Sequence, residues 1–171
     1  GEFIIDGYLK NQNSHYRIIS GIPRFIKKND LKHSFNFQWK KWNKLQFEDQ
    51  NIGLPMEGHT KKMFHSITDF KDEMNKDKIF LDIGAGSGRF ADILIENGSK
   101  VICIEVSNSV DQIYENLNKN HKNALIIQSD FENLPIKNSS IDHAFSIGVL
   151  HHSKNPEAAF SETAYYDSVI S

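Results

Sequence analysis

The sequence predicts an α/β fold, a parallel sheet with flanking helices, preceded by an N-terminal arm. Three observations predict it. From residue 78 onward, short apolar runs alternate with amphipathic stretches. The apolar runs are rich in β-branched residues. A glycine cluster, Gly84-Ala85-Gly86-Ser87-Gly88, lies where the first apolar run gives way to the first amphipathic stretch. Strand–helix–strand alternation implies parallel strands joined by right-handed crossovers.

Taken in order, residues 78–83 form an apolar run too short for a helix and cut by glycine, hence a strand. Residues 89–97 place Phe90, Ile93 and Leu94 at helical spacing, with Gly98 as the stop. Residues 101–106 suit a strand buried on both faces. Ser107 or Ser109 would cap a helix over 110–120, with Val110, Ile113, Tyr114 and Leu117 on one face. Residues 124–128 and 141–147 read as third and fourth strands, and Pro156 opens a last helix over 156–166. Two domains are expected: an arm over 1–77 and the sheet domain over 78–171. Within the arm, residues 1–26 suggest a small hairpin, and helices are expected near 37–48 and over 58–74.

Bulk composition narrows the function classes. The 171 residues carry a net charge of −2, which argues against nucleic-acid binding by the whole chain. No apolar run approaches the ~18 residues of a spanning helix, so no membrane partner is expected. One cysteine, Cys103, excludes an intrachain disulfide and a cysteine zinc cage, and a cytoplasmic address is expected.

A parallel sheet binds its ligand beyond the carboxyl ends of its strands, where strand order reverses. That directs attention to Gly84, Ala85, Gly86 and Gly88. Glycine permits a tight turn and close approach of a ligand, and free N–H groups at a helix start favour an anion. The spacing separates two cofactor classes. A dinucleotide loop wants its third glycine where Arg89 stands; here it is Gly88. Glu105, near the end of the second strand, can take two hydrogen bonds from a ribose diol, or be a plain exposed strand-end acid. Asp130 can accept from an exocyclic amine, with Phe131 as apolar surface, or serve as a turn acid.

The run Phe80-Leu81-Asp82-Ile83-Gly84-Ala85-Gly86-Ser87-Gly88-Arg89-Phe90 resembles the first motif of the seven-strand, Rossmann-like S-adenosylmethionine-dependent methyltransferases, and of bacterial small-molecule members in particular. Glu105, Asp130 and the segment from Ile141 to His152 match later motifs in order. The resemblance implies that Asp82 and the backbone of Gly84, Ala85 and Gly86 hold the methionine end of the cofactor. Glu105, with Val106 beside it, would hold the ribose, and Asp130 with Phe131 would read adenine. The backbone of Ser146 and Ile147 would face the cofactor's amino group. Leu150, His151 and His152 would begin a helix beside the transferred methyl. Either histidine could take a proton from a hydroxyl or amine acceptor, or simply pack or cap the helix start. S-adenosylhomocysteine would be the product.

Gly21-Ile22-Pro23-Arg24-Phe25 and Ser34 to Trp39 resemble a leader in some bacterial members, where a zinc-ribbon-like element often comes first. Lys10 and Asn13 stand where its cysteines would be, so no metal is expected. Phe35, Phe37 or Trp39 would cap the cofactor or pack as core. Between Arg24 and Lys44 lie seven Lys or Arg and one acid, Asp30; this is either a solvated face or a contact for nucleic acid. Four strands are legible where the family has seven. The chain is therefore expected to be truncated after the fourth strand, whose edge would be exposed or covered in a homo-oligomer. A small-molecule acceptor is expected, with an RNA or DNA methyltransferase and a non-catalytic cofactor-binding module as alternatives.

Overall fold

A computed structural model of the chain describes residues 4–26, 45–70, 76–117, 122–130, 134–137, 139–150, 155, 157, 161 and 168–170. Three strands open the chain: β1 (Gly7–Lys10), β2 (His15–Ile19) and β3 (Ile22–Arg24). Helix α1 (His59–Ile67) follows, then β4 (Ile79–Ile83), α2 (Arg89–Glu96), β5 (Lys100–Glu105), α3 (Ser109–Asn116), β6 (Ala124–Gln128), β7 (His143–Ser146) and β8 (Ser168–Ile170). The strands form one sheet in the order β1-β2-β3-β6-β5-β4-β7-β8. From β6 to β8 every pairing is parallel, and strand order reverses at β4, between β5 and β7.

Period-two alternation sorts the central strands onto two faces. Phe80, Val101, Cys103, Ile126 and Phe145 face one way, under Phe64 of α1, Phe90 and Leu94 of α2, and Val110 and Ile113 of α3. Phe64 is fully buried, stacked on Phe90 at 5.4 Å and edge-on to Phe145 at 5.3 Å. Such a ring contributes about 1.5–3 kcal/mol by burial. Leu81, Ile83, Ile104, Ile127 and Ala144 face the other way, against Leu134, Leu150, Phe25 and Val149. Burial on both faces explains why these strands read as unbroken apolar runs.

Helix ends follow their local chemistry. Asn97 ends α2 and Gly98 takes a left-handed φ of 86°. The Gly98 N–H then donates to the Ile95 carbonyl and the Ser99 N–H to that of Leu94, closing the helix as the sequence analysis expects. At the start of α3 the capping position is Asn108, not Ser107 or Ser109, although the Ser107 hydroxyl accepts from the Ser109 N–H. Helix α1 is shorter than the expected 58–74: Thr68 is extended and its hydroxyl donates to the Phe64 carbonyl. Of the helix expected near 37–48, residues 45–47 are not helical and only Glu48 falls in a single 3-10 turn, Glu48–Gln50; residues 27–44 lie outside the described residues. The helix expected over 156–166 falls largely outside them too.

Two expectations about the sheet change. The N-terminal hairpin gains a third strand and joins the main sheet, β3 pairing parallel to β6 at Arg24 and Gln128. At the other side, β8 pairs parallel to β7, so the fourth strand's edge, expected to be open, is covered within the chain. That removes the stated reason for an oligomer. A three-residue strand is too short to show a period, which is why β8 was not legible.

Candidate functional site

The loop from Gly84 to Gly88 begins where β4 ends, beside the reversal in strand order. Gly84, Gly86 and Gly88 all have positive φ, at 78°, 60° and 84°. At Gly84 the reason for glycine is in the protein itself: a Cβ there would lie 2.3 Å from Val149 Cγ1. To the tight turn and close ligand approach expected of this glycine, the structure adds room for Val149. At Gly88 a Cβ would meet Ile113 of α3 at 3.1 Å.

The expectation of free loop N–H groups also changes. Gly84 and Ala85 both donate to the Ile104 carbonyl, at 2.8 and 3.0 Å, and Gly88 donates to Ala85 at 2.8 Å. The Gly86 N–H donates to Glu105 Oε2 at 3.2 Å, and the Ser107 N–H to Oε1 at 2.9 Å. The Glu105 carboxylate is thus buried and turned towards the glycine loop, bridging it to the start of the β5–α3 connection.

Asp82, two residues before the loop, is 2% exposed, and its Oδ2 has no hydrogen-bond partner among the described residues. It pairs in register with Cys103 of β5 and Phe145 of β7. Burial, reinforced by the Glu105 carboxylate and opposed by Arg89, pushes its carboxyl up to about 8. The Cys103 thiol is pushed up as well, by burial and then by Asp82. Burial lowers Arg89, with Asp82 opposing, and its guanidinium lies over the Phe90 ring at 4.4 Å.

The other expected residues collect at the same ends of the strands. The Ser146 hydroxyl, fully buried, donates to the Ile83 carbonyl at 3.0 Å and ties the end of β7 to that of β4. Ile147 packs on the helix-covered face and Val106 on the opposite one. Asp130 lies two residues past the end of β6, and the Ser129 N–H donates to the Glu105 carbonyl. Phe131, His151 and His152 lie outside the described residues. Among the described residues, no group of three or more His, Cys, Asp or Glu is placed to hold a metal ion.

Three contributors escaped the sequence analysis. Asn116 of α3 donates to the Ser87 carbonyl at 2.9 Å and pins the loop from below. Val149 seats against Gly84. Gln128 Nε2 donates to the carbonyls of Val106 and Ser107. For Asn116 and Gln128 the one available signal was a polar residue on an otherwise apolar helix face or strand, which names no partner; Val149 gave no signal.

With the N–H groups of Gly84, Ala85, Gly86 and Gly88 engaged, and the buried carboxyl groups of Asp82 and Glu105 beside them, the loop lacks the row of free donors that a pyrophosphate needs. It suits a cationic ligand group better than a pyrophosphate. The orphaned Asp82 oxygen fits the ammonium of an amino-acid moiety, and the observed residues therefore fit S-adenosylmethionine.

Comparison with known proteins agrees. A family profile described as a methyltransferase domain matches residues 81–165. The chain is 28% identical over 120 residues to a tRNA U34 carboxymethyltransferase of Ruthia magnifica subsp. Calyptogena magnifica, covering 68% of this chain and 37% of that protein. The chain thus spans little more than a third of that relative. Among solved structures, a protein from Methanococcus maripaludis provisionally assigned as an S-adenosyl-L-methionine-dependent methyltransferase superposes with TM-score 0.60 at 17% identity, covering 85% of this chain and 65% of that one. One from Galdieria sulphuraria, provisionally assigned as a sarcosine dimethylglycine methyltransferase, gives 0.62 at 18%, covering 79% and 56%. The [4+2]-cyclase SpnF gives 0.55 at 18%, covering 63% and 40%. At these identities the structures establish the fold alone. Motif order, strand order and the domain match together place the chain in the class I S-adenosylmethionine-dependent methyltransferases.

Proposed function

We propose that the protein transfers a methyl group from S-adenosylmethionine to a small-molecule acceptor, releasing S-adenosylhomocysteine. Residues 78–171 supply the cofactor site and residues 1–77 the arm against it. The observation that carries this reading is the buried Asp82 oxygen, unpartnered among the described residues, beside a loop whose Gly84, Ala85, Gly86 and Gly88 N–H groups are already bonded.

Asp82, with backbone groups of Gly84, Ala85 and Gly86, holds the methionine end. Gly88 lets α3 pack against the loop. Glu105 gives up its longer bond, that to Gly86, for the ribose hydroxyls and keeps the one from Ser107, with Val106 alongside. Asp130 and Phe131 read adenine, and the backbone of Ser146 and Ile147 faces the amino group. When bound, the cofactor supplies a methyl group on sulfur whose loss leaves a neutral thioether. The protein's work is then chiefly alignment and exclusion of water. His151 or His152 takes the proton of a hydroxyl or amine acceptor. A cytoplasmic address fits the cysteine usage, and no helix among the described residues is long and apolar enough to cross a membrane.

Calorimetry with S-adenosylhomocysteine tests the reading. Saturable binding not displaced by a nicotinamide dinucleotide is expected; no binding by the folded chain refutes it.

A second reading has its own support. Likeness to a tRNA-modifying enzyme and the basic stretch from Arg24 to Lys44 favour an RNA acceptor. On that reading, tRNA binding weakens with salt and on neutralising Lys40, Lys41 and Lys44. Salt-independent binding, or none, removes it.

A further inference from the structure

One polar network belongs to neither the core nor the glycine loop. Gln128, the last residue of β6, is 1% exposed. Its Nε2 lies 3.2 Å from the Val106 carbonyl, 3.0 Å from that of Ser107 and 3.3 Å from Asn108 Oδ1. Three acceptors therefore share two protons. Its Oε1 accepts from Arg24 Nη1 at 2.8 Å, while Arg24 Nη2 reaches Asp111 of α3 at 2.6 Å. Next along, the Phe25 N–H donates to the Gln128 carbonyl at 2.7 Å.

The guanidinium is a donor only, so it fixes which end of the Gln128 amide faces it. A flipped amide would set its oxygen against two carbonyls and an amide oxygen. Arg24 thereby holds the amide with its NH2 group on the 106–108 segment. That segment supplies the Ser107 N–H that grips Glu105 Oε1. The chain of contacts runs from the N-terminal strands through Arg24, Gln128 and Ser107 to the proposed ribose-binding carboxylate.

We infer that Arg24 and Gln128 are positioning residues for cofactor binding: the N-terminal strands set the Glu105 carboxylate through a buried amide locked by a guanidinium. This rests on the cofactor reading above. Val106, Ser107 and Asn108 have no other side chain of the N-terminal strands bonded to them among the contacts described, so Arg24 reaches them through Gln128.

The test is calorimetry on the full chain with S-adenosylhomocysteine and with its 3′-deoxy analogue, which lacks one of the two ribose hydroxyls. Arg24→Met should weaken S-adenosylhomocysteine about tenfold and the 3′-deoxy analogue much less. Gln128→Met, similar in volume, should do the same, and the double variant should be no worse than Gln128→Met alone. A purely structural role would weaken both ligands equally. Equal loss, no loss, or additive losses overturn the inference while leaving the cofactor reading standing. Failure of the wild-type chain to bind either ligand overturns both. Thermal unfolding checks that each variant is folded. Should Gln128→Met not fold, Arg24→Met, whose side chain reaches the surface, decides alone.

Discussion

The glycine loop after β4 and the N-terminal strands β1–β3 lie against one sheet but are built by different means. Around the loop nearly every group is buried, the strands are parallel, and both faces are covered. Hydrogen bonds leave Gly84, Ala85, Gly86 and Gly88 little freedom. The N-terminal strands are antiparallel, half-exposed and edged by Tyr8 at 62% exposure. They contribute no side chain to the helix-covered core except Ile22. Their weight in the molecule falls on the end of β3, through Arg24 and the following Phe25. A region can therefore matter to a site through one buried contact while most of its surface is free to vary.

The sharpest way to break this contrast is Gly84→Ala. The new Cβ strikes Val149 and φ is left-handed, so a loss of at least about 2–3 kcal/mol is expected in denaturant unfolding. Adding Val149→Ala removes the 2.3 and 2.7 Å contacts but leaves the Val149 Cβ at 2.9 Å, so it should recover part of the steric share and none of the backbone strain. A Gly84→Ala protein as stable as the parent would show that the loop is looser than its contacts imply.

Asp82→Asn comes next. Folding takes up a proton here: the buried carboxyl titrates near 8, above its ordinary value of 3.8. The folded state therefore binds more protons than the unfolded one between those values. The stability of the cofactor-free chain should fall as pH rises through that window. Asn removes that slope. It should also cost about ten- to a hundredfold in S-adenosylhomocysteine affinity, because an amide, unlike the carboxyl, cannot ionise against the ligand's ammonium. Stability curves that superpose across pH for parent and variant would place Asp82 outside the titration.

Smallest of all is Tyr8→Ser on β1. It should change stability by no more than about 0.5 kcal/mol and leave cofactor binding unaltered. A larger effect on binding would mean the outer strands act on the site directly.

The legibility of the molecule follows the same division. Strands 79–83, 100–105 and 124–128, the helix from Arg89 and its glycine stop are all written locally, as apolar runs, helical spacing and turn residues. The glycine loop and Glu105 were legible because spacing and chain order identify them. The roles of Gln128 and Asn116 were not, since each donates to a carbonyl about twenty or more residues away. Sequence spacing says nothing of such a meeting.

By itself the sequence determined a parallel α/β core, the place of its glycine loop and a glycine spacing that disfavours a dinucleotide, since each depends on period, composition or short-range order. Only the tertiary structure decided that the N-terminal strands extend the same sheet, that β8 covers β7, and that Val149 is what forbids a side chain at Gly84. Those are pairings between distant segments. They are selected by which surfaces and hydrogen-bonding groups remain once the core has formed, and no local pattern records that remainder.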